Sequence, residues 1–357
     1  MRIFIYSDLH ISRTSSIMPL TSSINKYTYR QNMILELGKY LENIIDEQKP
    51  DLIINLGDTF DNHTITSYDI DIASKFFECF RMLNIPHIVL VGNHEMINQD
   101  FNAIEILNNI NNITVISEPS TVNTDIILST KLSLQQPNVK LAFLPYCDYR
   151  DILEFPDGDF LFSHQDIQGS CIRGDFKLPN GIDQNDLSKY KLVFNGHIHK
   201  SSIMKNIINV GSISTHSFSD DQENVPKCYI FDTNTLDLTT YKPTCCPLFR
   251  KVEIKKNISE LYAFMDQLDK NYKYILHIIC PFELKDEIKS FIEQNEFVIN
   301  SRISIIGSIK EVKEENKNNT VNLSSNIDIL QNFKDFLNIT DLKYPLELYA
   351  DVLKEVK

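Results

Sequence analysis

Five short apolar runs each end on residues that can ligate a metal ion, and this repeated pairing constrains the chain more than any other feature. Residues 3–6 lead into Ser7-Asp8-Leu9-His10, 52–56 into Gly57-Asp58-Thr59-Phe60-Asp61, and 88–91 into Gly92-Asn93-His94-Glu95. Farther along, 160–162 lead into Ser163-His164, and 192–195 into Gly196-His197-Ile198-His199. Runs this short and this apolar read as buried strands. In an open α/β sheet, ligands collect at the carboxyl ends of strands. Five such ends converging would gather carboxylate, imidazole and amide groups around one small volume.

The intervening segments fit that layout. Residues 29–47 have helical periodicity, with Met33, Leu37, Tyr40, Leu41 and Ile44 on one side, and 69–83 read as a second helix. Strands at 2–7, 51–56 and 87–91 alternate with them, which implies a largely parallel sheet with helices on its faces. Strands at 140–145, 159–163, 192–195, 203–210, 228–232 and 236–241 then follow closely, and predict a second, more antiparallel sheet packed on the first. The 357 residues exceed one ordinary core. Pro243 and Pro247 mark a boundary. Beyond it, strands at 249–254, 274–280 and 298–306 alternate with helices at 258–268 and 284–292. Residues 310–322 are polar and read as a linker. Residues 327–337 and 345–356 read as two amphipathic helices.

The formal net charge of −13 excludes a protein that grips nucleic acid by a basic surface alone. A phosphate-bearing substrate would need bound metal ions or a partner chain. Seven Cys without zinc-type spacing argue against a disulfide framework, and the adjacent Cys245 and Cys246 read as reduced and structural. The opening MRIFIYSDLH lacks the basic start and long apolar core of a signal peptide, and no apolar run reaches membrane-spanning length. The expected setting is reducing and cytoplasmic, with no membrane association.

Imidazole and carboxylate together suit Mn²⁺, Fe, Zn or Ni ions. A carboxylate can bridge two of them, and Asp58 is the best candidate for that. Two ions roughly 3.5–4 Å apart can clamp a phosphate and activate a bridging water for in-line attack. The run D-x-H, G-D-x-x-D, G-N-H-E, a lone His and G-H-x-H, in this order, resembles the signature of the calcineurin-like metallophosphoesterases over about the first two thirds of the chain. The resemblance implies two divalent ions, Mn²⁺ foremost. Asp8, His10, Asp58 and His199 would hold one, and Asp58, Asn93, His164 and His197 the other. It implies that His94 is a catalytic residue that contacts the phosphate rather than a ligand.

Within that family, Asp61 is followed by Asn62-His63 rather than the Arg-Gly of protein phosphatases. GDTFD, GNHE and GHIH followed by Gly211-Ser212 are similar to the SbcD-type DNA repair nucleases, although the Pro that follows Gly-Ser in those proteins is replaced by Ile213. This resemblance implies an α/β fold: a two-sheet metallophosphoesterase sandwich flanked by helices (residues 1–243) and a small α/β capping domain (248–309). A linker (310–323) and a helical segment (324–357) would follow. That segment would dock on an SbcC-type coiled-coil ABC ATPase. Ile329, Phe333, Phe336 and Leu337 form one apolar face for it, and Leu346, Leu348, Tyr349, Val352 and Leu353 another. The implied activity is a metal-dependent DNA exonuclease and endonuclease acting on ends or hairpins as a homodimer. The alternatives are a small-molecule or nucleotide phosphodiesterase with the same metal core, and a scaffold with a decayed site. Asp61 is expected to orient a ligand, and Glu95 to be structural. His63 and His216 are candidates to lie near the mouth of the site and touch substrate, with a structural or surface role as the ordinary reading. Arg13 and Arg30 are candidates to approach DNA phosphates, with solvated surface charge as the simpler reading.

Overall fold

The computed structural model describes residues 1–13, 18, 25–98, 101–123, 139–152, 154–215, 217–218 and 225–306. The strands in chain order are β1 (Arg2–Tyr6), β2 (Leu52–Asn55), β3 (His87–Leu90), β4 (Ile113–Ile116), β5 (Ser120–Asn123) and β6 (Lys140–Leu144). Next come β7 (Phe160–Ser163), β8 (Cys171–Arg173), β9 (Phe176–Lys177), β10 (Leu192–Asn195), β11 (Ser202–Met204) and β12 (Ile207–Asn209). The last are β13 (Cys228–Asp232), β14 (Leu238–Tyr241), β15 (Leu248–Glu253), β16 (Tyr274–Pro281) and β17 (Val298–Ile306). The α-helices are α1 (Tyr29–Gln48), α2 (Ser67–Arg81), α3 (Ser259–Asp266) and α4 (Lys285–Glu293).

Two six-stranded sheets form a sandwich, ordered β14-β13-β1-β2-β3-β4 and β11-β12-β10-β7-β6-β5. Strand alternation sorts the side chains. Ile3, Ile5, Leu52, Ile54, Ile88 and Leu90 face Leu141, Phe143, Phe160, Phe162, Phe194 and Ile208 of the other sheet. Phe162 stacks between Phe143 and Phe194, with ring centroids 5.6 and 5.4 Å apart. Each ring buried this way contributes ~1.5–3 kcal/mol. On the opposite face Phe4, Tyr6, Ile53 and Val89 pack against α1 and α2.

Both helices begin on a capping box, Thr28 with Gln31 and Thr66 with Asp69. The Thr66 box starts α2 two residues earlier than the apolar periodicity alone suggests. The second sheet departs from the expected antiparallel pattern. β6, β7, β10 and β12 run parallel, and only the edge strands β5 and β11 are antiparallel to their neighbours. β13 and β14, whose spacing suggested the second sheet, extend the first. Residues 203–210 are two strands rather than one. Lys205, at φ 51°, turns the chain so that Ile203 pairs with Ile208. Among the described residues the outer face of the second sheet is covered by irregular chain rather than helices: Ile167, Ile182, Leu187 and Tyr190 pack on Ala142, Leu161, Val193 and Ile207.

After β14 the order β15-α3-β16-α4-β17 forms a parallel three-stranded sheet with its own apolar cluster, including Leu261, Leu276, Ile278 and Ile288. Phe249 and Ile275 also join the core under α1, and residues Met1–Ile306 make one compact unit. The linker and the C-terminal helices with their two docking faces lie outside the described residues. No helix among the described residues is long and apolar enough to cross a membrane.

His87 sits at the start of β3 on the helix side, buried against Tyr6, Phe77 and Phe80. The Tyr6 hydroxyl and Nε2 share a hydrogen bond of 3.1 Å. Burial lowers the ring's pKa to about 3. Below pH 6.5 the unfolded chain takes up a proton that the folded chain refuses, so stability falls as pH drops from there toward 3. The expected loss from this ring is roughly 2 kcal/mol by pH 5. His87→Gln keeps a hydrogen-bonding group without the titration. Urea denaturation in EDTA at pH 7 and pH 5 should show the variant losing about that much less than the parent. Identical losses would remove His87 as the cause.

Candidate active site

Five strand ends, from β1, β2, β3, β7 and β10, bring side chains of both sheets together at one edge of the sandwich. The β1–β2 pairing continues beyond the strands. Asp8 N–H donates to the Gly57 carbonyl (3.1 Å), His10 N–H to Asp58 (2.9 Å) and Ile11 N–H to Thr59 (2.7 Å). This fixes the first two loops side by side. Asp8, His10, Asp58 and His197 have φ of 55°, 49°, 51° and 68°. Non-glycine residues seldom adopt this left-handed conformation, and such strain concentrates at functional sites. Glycine is needed where the loops touch: a Cβ on Gly92 would lie 2.1 Å from Asp58 Oδ1, and one on Gly57, at φ 110°, 2.6 Å from His164 Nδ1.

The donors fall into overlapping sets. Asp8, His10 and His199 form one, Asp58, His164 and His197 a second, and His10, Asp58 and His94 lie between them. In the first, His10 Nε2 is 3.2 Å from His199 Nε2, and Asp8 Oδ1 is 3.7 Å from the latter. In the second, Asp58 Oδ2 is 3.3 Å from His164 Nε2. Asn93 Oδ1 joins it, 3.1 Å from His164 Nε2 and 2.8 Å from His197 Nδ1. Asp58 Oδ2 is also 3.7 Å from His10 Nε2, so this one carboxylate faces both sets. All seven residues expected to hold metal are thus brought together, with His94 beside them.

Burial alone would raise the Asp58 carboxyl, but the adjacent His164 imidazole holds it far below the usual carboxylate range. Burial alone would likewise lower His164; the Asp58 charge overrides it and raises the ring to about 9. His164 Nδ1–H donates to the Leu56 carbonyl at 2.8 Å, which leaves Nε2 to face Asp58 and Asn93. His94 is the most exposed of these imidazoles, at 38%. Its Nδ1–H donates to the Asp61 carbonyl at 2.8 Å, and its Nε2 lies 4.0 Å from Asp58 Oδ2. The backbone N–H of His94 meanwhile binds Asp58 Oδ1 at 3.0 Å.

Several positioning groups lie around these donors. Glu95 is buried and accepts from the backbone N–H groups of Asp58, Phe60 and Gly92 at 3.2, 2.8 and 2.7 Å. It thereby clamps the second motif to the third, and burial followed by the Asp58 charge raises its carboxyl to about 8. Asp61 Oδ1 stands 3.3 Å from His10 Nδ1.

Arg30 overturns both of its sequence-based readings. It is 2% exposed, and its Nη2 donates to the His10 carbonyl at 2.7 Å, so it braces the first motif from α1. Arg13 lies over the Tyr68 ring, 4.5 Å from the centroid. His63 is exposed, and His216 lies outside the described residues.

Two further groups escaped sequence reasoning. Asp166 Oδ1 accepts from His197 Nε2 at 3.1 Å and so leaves Nδ1 turned toward Asn93. Asn195, fully buried, accepts from Ser163 Oγ (2.7 Å) and Gln165 N–H (3.0 Å) and donates to Asn209 Oδ1 (3.1 Å). It joins the loop of His164 to that of His197. A polar residue closing an apolar strand was the available signal for Asn195; Asp166 had none.

The sequence profile of the calcineurin-like phosphoesterases matches residues 1–201. The chain is 23% identical over 318 residues to a protein of Enterobacteria phage T4 named exonuclease subunit 1, covering 84% of this chain and 86% of the phage protein. Among solved structures it is similar to an archaeal phosphodiesterase, with 14% identity, 68% of this chain and 100% of that one covered, and a TM-score of 0.34. It is also similar to the nuclease MPE of Pseudomonas putida, with 14% identity, 64% and 84% covered, and a TM-score of 0.31. With its profile matched over more than half its length and all five motifs assembled at one sheet edge, the chain belongs to the calcineurin-like phosphoesterases, hydrolases with a dinuclear metal centre.

Proposed function

We propose that the chain is the nuclease subunit of an SbcCD-type DNA repair or recombination complex and hydrolyses phosphodiester bonds at DNA ends and hairpins. The observation that carries the chemistry is the pair of donor sets sharing Asp58. The donor chemistry fits divalent cations, Mn²⁺ foremost. Both Asp8 oxygens are buried without a hydrogen-bond partner, and the His199 and His10 Nε2 atoms face Oδ1 at 3.7 and 4.0 Å. Asp8, His10, Asp58 and His199 would hold one ion, and Asp58, Asn93, His164 and His197 the other. Bound there, the two ions would polarise the phosphoryl group and lower the pKa of a water between them.

The protein's own groups do the rest. Leu56 and Asp166 each engage one ring nitrogen of His164 and His197, so that the other nitrogen faces the site, where a bound ion would displace any proton it carries. Arg30 and Glu95 hold the loops in register. His94, fixed at Nδ1 by the Asp61 carbonyl, offers Nε2 to the substrate side. As an imidazolium it donates to the developing charge on phosphorus-bound oxygen and can protonate the leaving oxygen.

DNA as substrate is supported by the phage relative, which is named an exonuclease subunit and aligns over most of both chains. We assign residues 248–309 as the capping domain and 324–357, beyond the linker at 310–323, as the segment that binds a coiled-coil ABC ATPase. Ile70 on α2 and Ile106 are exposed around one shallow apolar hollow, a surface suited to a second nuclease subunit. The acidic charge then has a consequence: affinity for long duplex comes from the partner.

The substrate class is tested with Mn²⁺, linear duplex DNA and a simple aryl phosphodiester; the reading expects cleavage of both, and activity confined to the aryl ester would sink it. His94→Gln should keep two metal equivalents by elemental analysis while turnover falls about 10²–10⁴-fold. His197→Ala should lose one equivalent, and an emptied site in His94→Gln would contradict the division of roles. Asp166→Ala should weaken divalent binding by about 10–100-fold, measured by titration calorimetry. Unchanged affinity would remove Asp166 from the centre.

A further inference from the structure

Strands β8 and β9 form a short hairpin that projects from the outer side of the second sheet, between the loops of His164 and His199 in sequence. Gly174 and Asp175 make its turn, with Gly174 at φ 52°. Its exposed residues are unusual for an acidic chain. Phe176 is 62% exposed and sits opposite Arg173, and Lys177 is exposed beside it. An exposed ring alone is ordinary; here the ring stands between cations, an arrangement able to stack on and neutralise a ligand.

The hairpin is tied to the candidate active site at both ends. At its tip, Lys200, the residue after His199, donates from Nζ to the Gly174 carbonyl at 3.0 Å. At its root, Gly169 N–H bonds the Leu178 carbonyl, and Leu178 N–H that of Ser170, each at 2.9 Å. Ser170 is fully buried and accepts from Asn209 Nδ2 at 3.2 Å. Asn209 in turn binds Asn195, which holds the loops of His164 and His197. One buried polar network therefore runs from the donor loops to the base of the hairpin, so its surface is held at a fixed place relative to the donors.

We infer that the hairpin is a single-strand clamp: Phe176 stacks on an unpaired base next to the scissile phosphate, and Arg173, Lys177 and Lys200 hold the flanking phosphates. A ring face flanked by cations is the chemistry that binds single-stranded nucleic acid without sequence preference. Bases inside an intact duplex are already stacked and cannot use it, which commits the ligand to single strands and frayed ends. The inference rests on the nuclease reading.

The test uses the full chain with Mn²⁺, a fluorescently labelled single-stranded oligonucleotide and a blunt duplex of the same sequence. Phe176→Ala, checked for parental melting temperature and metal content, should bind the single strand roughly 10-fold more weakly. Phe176→Tyr should restore binding to within about 3-fold, because it restores the ring. Arg173→Ala with Lys177→Ala should flatten the salt dependence of binding. Parental affinity in Phe176→Ala, from a protein that itself binds and cuts DNA, would overturn the clamp and leave the nuclease reading standing. A parent chain that hydrolyses an aryl phosphodiester but neither binds nor cuts either DNA would overturn both.

Discussion

The structure turns on the buried carboxylate of Asp58. A carboxylate taken out of water costs several kcal/mol unless charge and hydrogen bonds replace what it lost. Here the His94 N–H binds one oxygen, while His164 and His10 face the other. These partners come from three different strand ends in two sheets. The electrostatic compensation of one group therefore requires that the sheets meet in one register. The stacked Phe143, Phe162 and Phe194 rings supply the stiffness that keeps them there.

Around that centre, polar burial follows a consistent rule. The strands are apolar along their length, and their polar residues gather where they end. Glu95, Arg30 and Asn195 are each buried and each hydrogen-bonded to the backbone of a donor-bearing loop. A loop braced in this way can hold Asp8, His10, Asp58 and His197 in the left-handed region, which an unsupported loop would leave. The donors and their supports thus form one cooperative unit, and losing a brace disturbs several donors at once.

How much of this was legible depends on what each feature needs. β1, β2, β3, β6, β7 and β10 are buried on both faces, so each prints a continuous apolar run, and the donors sit next to those runs. Strand order leaves no such mark, which is why the parallel centre of the second sheet and the place of β13 were not anticipated. The turn at Lys205 is hidden because apolar residues flank it on both sides. Arg30 looked like surface charge because it stands among polar residues at the start of α1; only the fold shows that His10 needs its carbonyl held. Asp166 depends on the path of the chain between His164 and His197, which no spacing rule specifies.

The acidic composition takes on a different meaning once the site is assembled. At physiological ionic strength, charges more than about 8 Å away are largely screened, so an approaching phosphate responds to local groups rather than to the total of −13. Locally it meets imidazoles and the positively charged ions their geometry suits. Over the rest of the surface the excess of carboxylates opposes long stretches of duplex. Such a distribution favours contact at a strand terminus, where few phosphates must be accommodated, over binding along a helix. On the nuclease reading, preference for ends follows from where the charge lies, and grip on the duplex is left to a second chain.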